Sequence, residues 1–499
     1  MFCQLVYLRG SLPGRIRRTL NELPETLDET YARTLEEIDK KNWEYALRLF
    51  QCVAAASRPL LVNELAEFLA FNFEAESTPT FLAEWRPEDP AHTVLSICSS
   101  FLDVVTLDDG LRVVQFAHFS VKEYLTSARL GKAKDTISRF HVSMTKSHTL
   151  VAKACLGVLL HLDENITKES LAELPLVEYA AEHWVSHARY ENVSSNVKDG
   201  MQHLFDPSRS HFSLWTWIYD PDDSYRRYMN SEHPGKATAT PLHYAAVCGM
   251  RDVAEFLIVE HSQDVNARGF YDEETPLHVA VRAGHADIAQ LLLDRGAGAK
   301  GQDSQKRTPL FLASIGGLVD VVLVLLEEHG ADAKAQNYYG CSPLERASEG
   351  GHLEVARILL EHGAVVQTQD EYESTPLHFA YGEEMARLLI KHGADSNVPD
   401  KGGRTPLHAA SVHGRVGAVR VLLEHGVDAN ARDANSATPL LLASSGGYPD
   451  CVRLLFQNGA DIHARDNKDQ TSFMMAAAKG HHDVMQLLLG YGAEDDREQ

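Results

Sequence analysis

The stretch TPLHAASVHGRVGAVRVLLEHG occupies residues 405–426 and contains start and stop signals for two short helices in succession. Thr405 is a suitable N-cap, and Pro406 suits the first helical position, where no backbone N–H donor is required. Gly414 and Gly426 can adopt the left-handed conformation that ends a helix, because glycine has no Cβ atom to clash. The stretch therefore predicts a pair of helices joined by a tight turn.

The same unit recurs through the second half of the chain. A Thr-Pro dipeptide or a close variant of it appears about every 33 residues, at Thr240, Thr275, Thr308, Ser342, Thr375, Thr405, Thr438 and Thr471. A fixed period of this length indicates a solenoid, in which each unit buries its apolar face against its neighbours. The pattern therefore predicts about eight stacked repeats over residues 236–499.

The repeated words resemble the signature of the ankyrin-repeat family. TPLH at 275–278 and TPLHAA at 405–410 match that signature nearly letter for letter. Four repeats carry another residue in place of the signature histidine, namely Phe311, Glu345, Leu441 and Met474. We expect these repeats to be less stable than the others but to have the same fold. The resemblance covers about half of the chain and implies that the repeats bind another protein.

The fifth repeat is shorter than its neighbours. The span from Thr375 to Leu388 has four residues fewer than the equivalent span from Thr405 to Leu422. Four residues make about one helical turn, so the deletion shortens the helix pair and keeps its apolar face aligned. Two interpretations remain open: a tolerated irregularity, or a weak point that uneven hydrogen exchange across repeats four to six would reveal.

Residues 1–235 lack this period and have mainly helical patterns. A helix is expected from Val62 to Phe71. Two β-rich stretches follow at 102–106 and 111–116, separated by the turn at 108–110. Helices followed by a hairpin are typical of a winged helix. The sequence therefore predicts a mainly α protein, with a winged-helix and helical region followed by an ankyrin-repeat α-solenoid.

Several words in this region resemble the segments that follow the ATPase core of NACHT-type signalling NTPases, especially the fungal NACHT–ankyrin proteins. They are LPETLDETY at 23–31, RPL at 58–60, HFSVKEYL at 118–125 and EYAAEHW at 178–184. The resemblance implies a sensor or adaptor whose N-terminal region relays what the repeats recognise. The expected segments are a helical segment following such a core at 1–40, a winged-helix-like domain at 41–130, a helical domain at 131–205, a linker at 206–235 and the repeats at 236–499.

The sequence departs from that family in its chemistry. It has no G-x-x-x-x-G-K-[ST] phosphate-binding loop, which a NACHT NTPase requires. It also has no G-x-S-x-G nucleophile elbow, so the inositol-deacylase activity that gives this type of winged helix its name is not expected. We therefore expect a non-catalytic adaptor without a cofactor. The alternative is the C-terminal part of a nucleotide-regulated NTPase whose phosphate-binding loop is missing from this chain.

The charge and the cysteines narrow the class of protein further. A formal net charge of −23 argues against nucleic-acid and anionic-membrane surfaces, which need clustered lysine and arginine. The helix expected at 62–71 contains Glu64 and Glu67 and no basic residue, which disfavours DNA recognition. Seven scattered cysteines without a C-x-x-C pair are typical of reduced thiols. We expect a cytoplasmic or nuclear protein without membrane insertion.

The histidines offer one arrangement with the spacing of a metal site. His183 and His187 are four residues apart, a spacing that places them on one face of a helix and can hold zinc. No third ligand is evident, and Trp184 stands where the metalloprotease motif has glutamate. We therefore interpret the pair as ordinary helix-face histidines and expect no metal site.

The repeats offer a better candidate site for a partner. Ankyrin proteins project hairpin loops between repeats, and partners bind their tips and the adjoining concave helices. Five aromatic residues are expected on these tips: Phe270, Tyr271, Tyr338, Tyr339 and Tyr372. Exposed aromatic residues are common interface hot spots. Nearby acidic residues favour a basic protein partner: Asp272, Glu273, Glu274, Asp370, Glu371 and Glu373. The alternative is that the rings pack between adjacent hairpins.

Overall fold

The computed structural model describes residues 27–73, 78–98, 100–132, 136–221, 239–270 and 272–493. The chain divides into two compact units, one ending at Gln263 and the other beginning at Asp264. Both units are mainly helical. All strands among the described residues lie in the first unit, and the second unit has an isolated β-bridge between Gly269 and Glu274. The predicted fold class is confirmed.

The first unit begins with a winged helix. Its elements in chain order are α1 (Leu27–Glu36), α2 (Trp43–Ala55), β1 (Leu60–Leu61), α3 (Val62–Glu67), β2 (Phe71–Asn72), β3 (Thr80–Phe81), α4 (Pro90–Cys98), β4 (Leu102–Thr106), β5 (Arg112–Phe116), α5 (Phe119–Thr126) and α6 (Ala128–Gly131). One antiparallel sheet has the strand order β1–β5–β4, and β2 pairs with β3 in a second sheet. In the first sheet, Val114 lies opposite Leu60 on one side and Val104 on the other.

The predicted hairpin is confirmed, and the predicted helix before it is shorter than expected. Strands β4 and β5 pair across a turn in which Gly110 has a φ of +84°. Helix α3 ends at Glu67, and a 3-10 turn over Phe68–Ala70 follows it. The helix does not reach Phe71, because that residue enters β2 and pairs with Phe81.

A helical region completes the first unit. Its helices are α7 (Met144–His161), α8 (Lys168–Ala172), α9 (Val177–Ala188), α10 (Ser194–Phe205), α11 (His211–Ile218), α12 (Pro241–Val247) and α13 (Arg251–Val259). Helix α7 is central and packs against α2, α9 and α10. Within the described ranges, no helix combines the length and apolar character that crossing a membrane would require.

The stretch predicted as a linker at 206–235 contains the buried helix α11. Trp215 in this helix is fully buried, and its Nε1 donates a hydrogen bond of 3.0 Å to the carbonyl oxygen of Ala181. Its ring packs edge-on against Trp184, with 5.4 Å between the centroids. It also packs against Tyr244 of α12, at 6.2 Å. The first repeat therefore packs on the helical region, and the boundary between the two compact units falls after that repeat.

The second unit contains the helices of repeats two to eight. They are α14 (Pro276–Arg282), α15 (Ala286–Asp294), α16 (Pro309–Gly316), α17 (Val319–Leu323, continued by a π-helical turn at Val324–Glu328), α18 (Pro343–Gly350), α19 (Leu353–Glu361), α20 (Glu383–Lys391), α21 (Pro406–Val412), α22 (Val416–Glu424), α23 (Pro439–Gly446), α24 (Pro449–Gln457), α25 (Ser472–Lys479) and α26 (His482–Gly490). The first helix of each repeat packs on the first helix of the next. Gly414 and Gly426 have φ values of +66° and +74°, which confirms their predicted role as helix ends.

The four-residue deletion in the fifth repeat falls on its first helix. A single 3-10 turn, Pro376–Phe379, replaces that helix, whereas α20 keeps the nine residues that α22 has. Only one helix of the pair is therefore shortened. Gly382, with a φ of +90°, then turns the chain into α20.

The signature histidines join neighbouring repeats by hydrogen bonds. His408 Nδ1 accepts from the backbone N–H of Thr405 at 3.2 Å, so the ring proton lies on Nε2. Nε2 then donates to the carbonyl oxygen of Ala437 in the next repeat at 3.1 Å. His278 and His378 make the same contact at 3.1 and 3.0 Å. Residues such as Leu441 and Met474 cannot make this bond, since their side chains have no donor.

We expect His408→Leu to lower the free energy of unfolding by about 1–3 kcal/mol, because the substitution leaves the buried carbonyl of Ala437 without its donor. Urea unfolding followed by far-ultraviolet circular dichroism measures the change. The control is Met474→Leu, which alters the same position in a repeat that has no such bond, and it should cost less than about 1.5 kcal/mol. Equal losses in the two variants would contradict a stabilising role for the histidine bridge.

Candidate functional site

The hairpins between repeats share one turn geometry. In the hairpin before Thr375, Asp370 Oδ1 accepts hydrogen bonds from the backbone N–H of Tyr372 at 2.9 Å and of Ser374 at 2.8 Å. Glu373 adopts a φ of +61°, in the left-handed region. Asp400, Asp433 and Asp466 hold their hairpins in the same way. Asn337 accepts the equivalent bonds in the hairpin before Ser342. The two residues after this position, five residues before each helix cap, are here called the tip of the hairpin, and their backbone is therefore fixed.

Each tip is also hydrogen-bonded to the tip before it. The backbone N–H of the first tip residue donates to the carbonyl oxygen of the second tip residue in the preceding hairpin. Six such bonds of 2.8–2.9 Å join the described hairpins: Ser304 to Asp272, Tyr338 to Gln305, Glu371 to Tyr339, Lys401 to Tyr372, Ala434 to Gly402 and Asn467 to Asn435. This tip ladder is made by backbone atoms and does not depend on which side chains the tips carry.

Three of the five predicted aromatic residues are exposed on this ladder. Tyr338, Tyr339 and Tyr372 have 69%, 45% and 63% of their surface exposed. Tyr338 and Tyr339 contact each other edge-on, with 5.5 Å between the ring centroids. The two other predicted residues differ. Phe270 is half-buried and stands five residues before Thr275, the position that aspartate or asparagine holds in the later hairpins, so it is not a tip residue. Tyr271 lies outside the described residues.

The acidic residues near the tips are largely engaged within the array. Asp272 Oδ2 lies 2.8 Å from Arg307, and Glu274 is buried and pairs with Arg282 at 2.9 Å. Glu273 pairs with Arg268 at 3.3 Å. Asp370 is buried and holds its turn, as described above. Glu371 and Glu373 remain exposed beside Tyr372, and the charge of Glu371 raises the pKa of the Tyr372 hydroxyl.

A cavity of about 460 Å³ adjoins the tips of the fifth to seventh repeats. Tyr372 lines it together with Phe379, which ends the shortened 3-10 turn. Lys401, Arg404 and Asn435 add polar groups to its wall. Of these residues, the sequence prediction included only Tyr372. The missing helical turn of the fifth repeat was the signal that could have drawn attention to this side of the array.

A thiol and two carboxyl groups lie close together at the hairpins of the fourth and fifth repeats. Cys341 ends the hairpin that carries Tyr338 and Tyr339, and Glu345 occupies the signature histidine position one helical turn later. Burial raises the pKa of Cys341 to about 12, and it also raises the pKa of Glu345. Asp370, from the next hairpin, lies within 4.8 Å of both groups.

The histidine pair His183 and His187 is divided between different contacts. His187 Nε2 lies 2.9 Å from the hydroxyl of Tyr179, and its Nδ1 lies 2.9 Å from Nδ1 of His148. His183 instead approaches Glu182, with 3.8 Å between its Nε2 and the carboxylate. Both ring nitrogens of His187 are therefore used in hydrogen bonds inside the helical region. Burial lowers the pKa of His187 to about 3.

His187 should make the stability of the first unit depend on pH. Its folded-state pKa is about 3, whereas an unfolded histidine has a pKa of about 6.5. Below pH 6.5 the unfolded state binds a proton that the folded state does not bind, so stability falls as the pH falls from about 6.5 towards 3. Between these two pKa values, this one residue changes the free energy of unfolding by up to about 1.4 kcal/mol per pH unit.

We expect His187→Gln to reduce that slope, because glutamine does not titrate. Tryptophan fluorescence during urea unfolding at several pH values measures it, and all five tryptophans lie in the first unit. The control is the same substitution at the exposed residue His92. If both variants kept the pH slope of the original chain, His187 would not be the residue responsible.

Comparisons with known proteins agree with this architecture. Residues 226–499 match the family model for ankyrin repeats in overlapping segments, and residues 33–139 match the winged helix domain of GPI inositol-deacylase. The predicted repeats and winged helix are thereby confirmed.

Two fungal proteins are similar to the chain. It is 31% identical over 258 residues to azaphilone pigments biosynthesis cluster protein L of Monascus ruber, covering 50% of this chain and 53% of that protein. It is 25% identical over 218 residues to the vegetative incompatibility protein HET-E-1 of Podospora anserina, covering 40% of this chain and 15% of that protein. The matches thus cover about half of the first relative and a smaller part of the second.

Proposed function

The chain belongs to the ankyrin-repeat family, and from that premise we propose that it is a non-catalytic adaptor or sensor that captures a protein on its hairpin tips. The observation that carries the proposal is the exposure of Tyr338, Tyr339 and Tyr372 on a hydrogen-bonded backbone. Exposed tyrosines contribute large contact areas with few rotatable bonds. Because the tip ladder already fixes their backbone, binding would cost little conformational entropy there.

The surface favours a partner segment that combines an apolar anchor with a basic group. An aromatic or aliphatic side chain could enter the 460 Å³ cavity and contact Phe379 and Tyr372. A basic side chain beside it would meet the exposed carboxylates of Glu371 and Glu373. A partner that is basic over a wide surface is less favoured than the sequence suggested, because arginines within the array already pair with Asp272 and Glu274.

We propose a structural and relaying role for the winged helix, rather than DNA recognition. Helix α4, which directly precedes the hairpin of β4 and β5, contains no lysine or arginine. Helix α3, the candidate recognition helix of the sequence prediction, has five of its six residues buried. Its two glutamates pair with arginines: Glu64 with Arg58 at 2.6 Å, and Glu67 with Arg86 at 2.5 Å. Such a helix offers no basic face to a DNA groove. The contact between Trp215 and Tyr244 supports the relay, because it couples the helical region directly to the first repeat.

Replacing Tyr338, Tyr339 and Tyr372 together with serine should weaken capture of the partner at least about tenfold, since hot-spot residues each contribute about 2 kcal/mol or more. Affinity capture with quantitative mass spectrometry identifies the proteins retained, and titration of the strongest one measures the loss. The thermal unfolding of the chain should not change, because the three rings are exposed.

The matched control is Tyr381→Ser, which removes another tyrosine that is 63% exposed but does not lie on a tip. This variant should retain the same proteins as the original chain. If the triple variant also retained them with equal affinity, the tips would not be the binding surface.

A second candidate function is that of a subunit of a nucleotide-regulated signalling NTPase, which would need to bind nucleotide itself, and the winged-helix match at residues 33–139 favours this class. The two candidates differ in one measurable property of this chain. As an adaptor it should leave the fluorescence anisotropy of a labelled ATP analogue unchanged at every protein concentration. Saturable binding that unlabelled ATP displaces would favour the nucleotide-regulated function instead.

A further inference from the structure

The thiol and the two carboxyl groups at the hairpins of the fourth and fifth repeats form a cluster with the composition of a metal site. The Sγ atom of Cys341 and one carboxylate oxygen each from Glu345 and Asp370 lie within 4.8 Å of one another. Cys341 and Glu345 belong to the fourth repeat, whereas Asp370 begins the hairpin of the fifth. No sequence motif links these three positions, and only the stacking of the two repeats brings them together.

Glu345 is an unusual residue at its position. A signature histidine would donate a hydrogen bond to the next repeat, and an ionised carboxylate has no proton to donate. Glu345 is completely buried, and its Oε1 accepts a hydrogen bond from Arg346. Its Oε2 has no nitrogen or oxygen donor in the part of the chain that the structure describes, and the carboxyl group interacts besides with the thiol of Cys341. A thiol is a weak hydrogen-bond donor, so a buried carboxylate oxygen in this setting calls for a ligand or another explanation.

Asp370 and Asp433 hold the same position in hairpins two repeats apart, but different side chains lie beside them. Arg404 precedes Thr405, and its Nε lies 3.6 Å from Oδ2 of Asp433 in the next hairpin. Cys341 precedes Ser342 as Arg404 precedes Thr405. A thiol therefore lies beside Asp370, where a guanidinium lies beside Asp433. The cation that accompanies Asp433 is therefore replaced at Asp370 by a metal-binding sulfur atom.

We propose that Cys341, Glu345 and Asp370 bind one divalent cation of the zinc type. Zinc accepts sulfur and carboxylate ligands in tetrahedral geometry, whereas calcium and magnesium prefer sites built from oxygen alone. Sulfur and oxygen ligands of a tetrahedral zinc ion lie about 3.3–3.7 Å apart, so the three groups need to close by about 1 Å. The thiol loses its proton to solvent when it binds, and water completes the coordination.

The cation would have a structural consequence at the partner-binding surface. It would join the hairpin of Tyr338 and Tyr339 to the hairpin of Tyr372 through side chains, in addition to the backbone hydrogen bond from Glu371 to Tyr339. Two neighbouring tips would then be held by the same ion. Binding of the cation does not require the partner, so the metal site can be tested even if the proposed function is wrong.

Cobalt titration of the metal-free full chain tests the site directly, because a cobalt–thiolate bond gives a charge-transfer absorption band. We expect the band to saturate at a single equivalent of cobalt and to disappear when excess zinc is added. The band should be absent in Cys341→Ala, and the affinity should fall at least about tenfold in Glu345→Gln. A band that persists in Cys341→Ala would overturn the proposal.

A pair of aspartate variants separates ligand loss from damage to the hairpin. Asp370→Asn keeps the oxygen that accepts the hydrogen bonds of Tyr372 and Ser374, and it replaces the other oxygen with an amide group. Asp400→Asn makes the same change in the next hairpin, where Asp400 holds the same kind of turn. Zinc affinity, measured by calorimetry, should fall at least about tenfold in the first variant only. Equal affinities in the two variants would show that Asp370 is not a ligand.

Discussion

The backbone hydrogen bond between consecutive hairpin tips is the contact on which the arrangement of the array depends. It repeats six times at 2.8–2.9 Å and sets the spacing of the hairpins from one repeat to the next. It uses only backbone groups, and from the hairpin of Ser304 onward an aspartate, or Asn337 in one hairpin, supplies the side-chain acceptor for the turn. The side chains of the tips have no part in either contact. Tyrosine, lysine, asparagine or alanine can therefore occupy a tip without cost to the fold, and this freedom makes the tips suitable for recognition.

Much of this architecture could be predicted from the sequence, because it depends on local signals. The helix pair at 405–426 follows from its cap, its proline and its two glycines, and the hairpin of β4 and β5 follows from the turn at 108–110. Helix α11 was missed because Trp215 is stabilised by Trp184 and by a carbonyl at Ala181, which are distant in sequence. The cavity beside Phe379 and the cluster around Glu345 were missed for the same reason.

The departures from the repeat signature are not equivalent. Leu441 is apolar, so losing the histidine there removes a hydrogen bond and leaves a well-packed core. Glu345 replaces the histidine with a group that burial would normally exclude, and a carboxylate from the next hairpin lies close to it. Arg346 pairs with one oxygen of Glu345, but two carboxyl groups close together still raise the energy of the folded chain unless a further cation or a proton accompanies them. The fourth and fifth repeats thus combine the exposed tyrosines, the shortened helix and the unusual buried charge in one part of the array.

The first repeat shows how the array is protected at its N-terminal end. A terminal repeat needs a cover for its apolar face, because it has only one neighbouring repeat. Here Tyr244 packs against Phe212 and Trp215, and its hydroxyl donates a hydrogen bond of 2.9 Å to Asp220. Ser262 stands where later repeats have a terminating glycine, and it adopts a φ of +49° at a steric cost that glycine would avoid. The helical region therefore covers the first repeat, and a change in the packing around Trp215 would act directly on Tyr244 in that repeat.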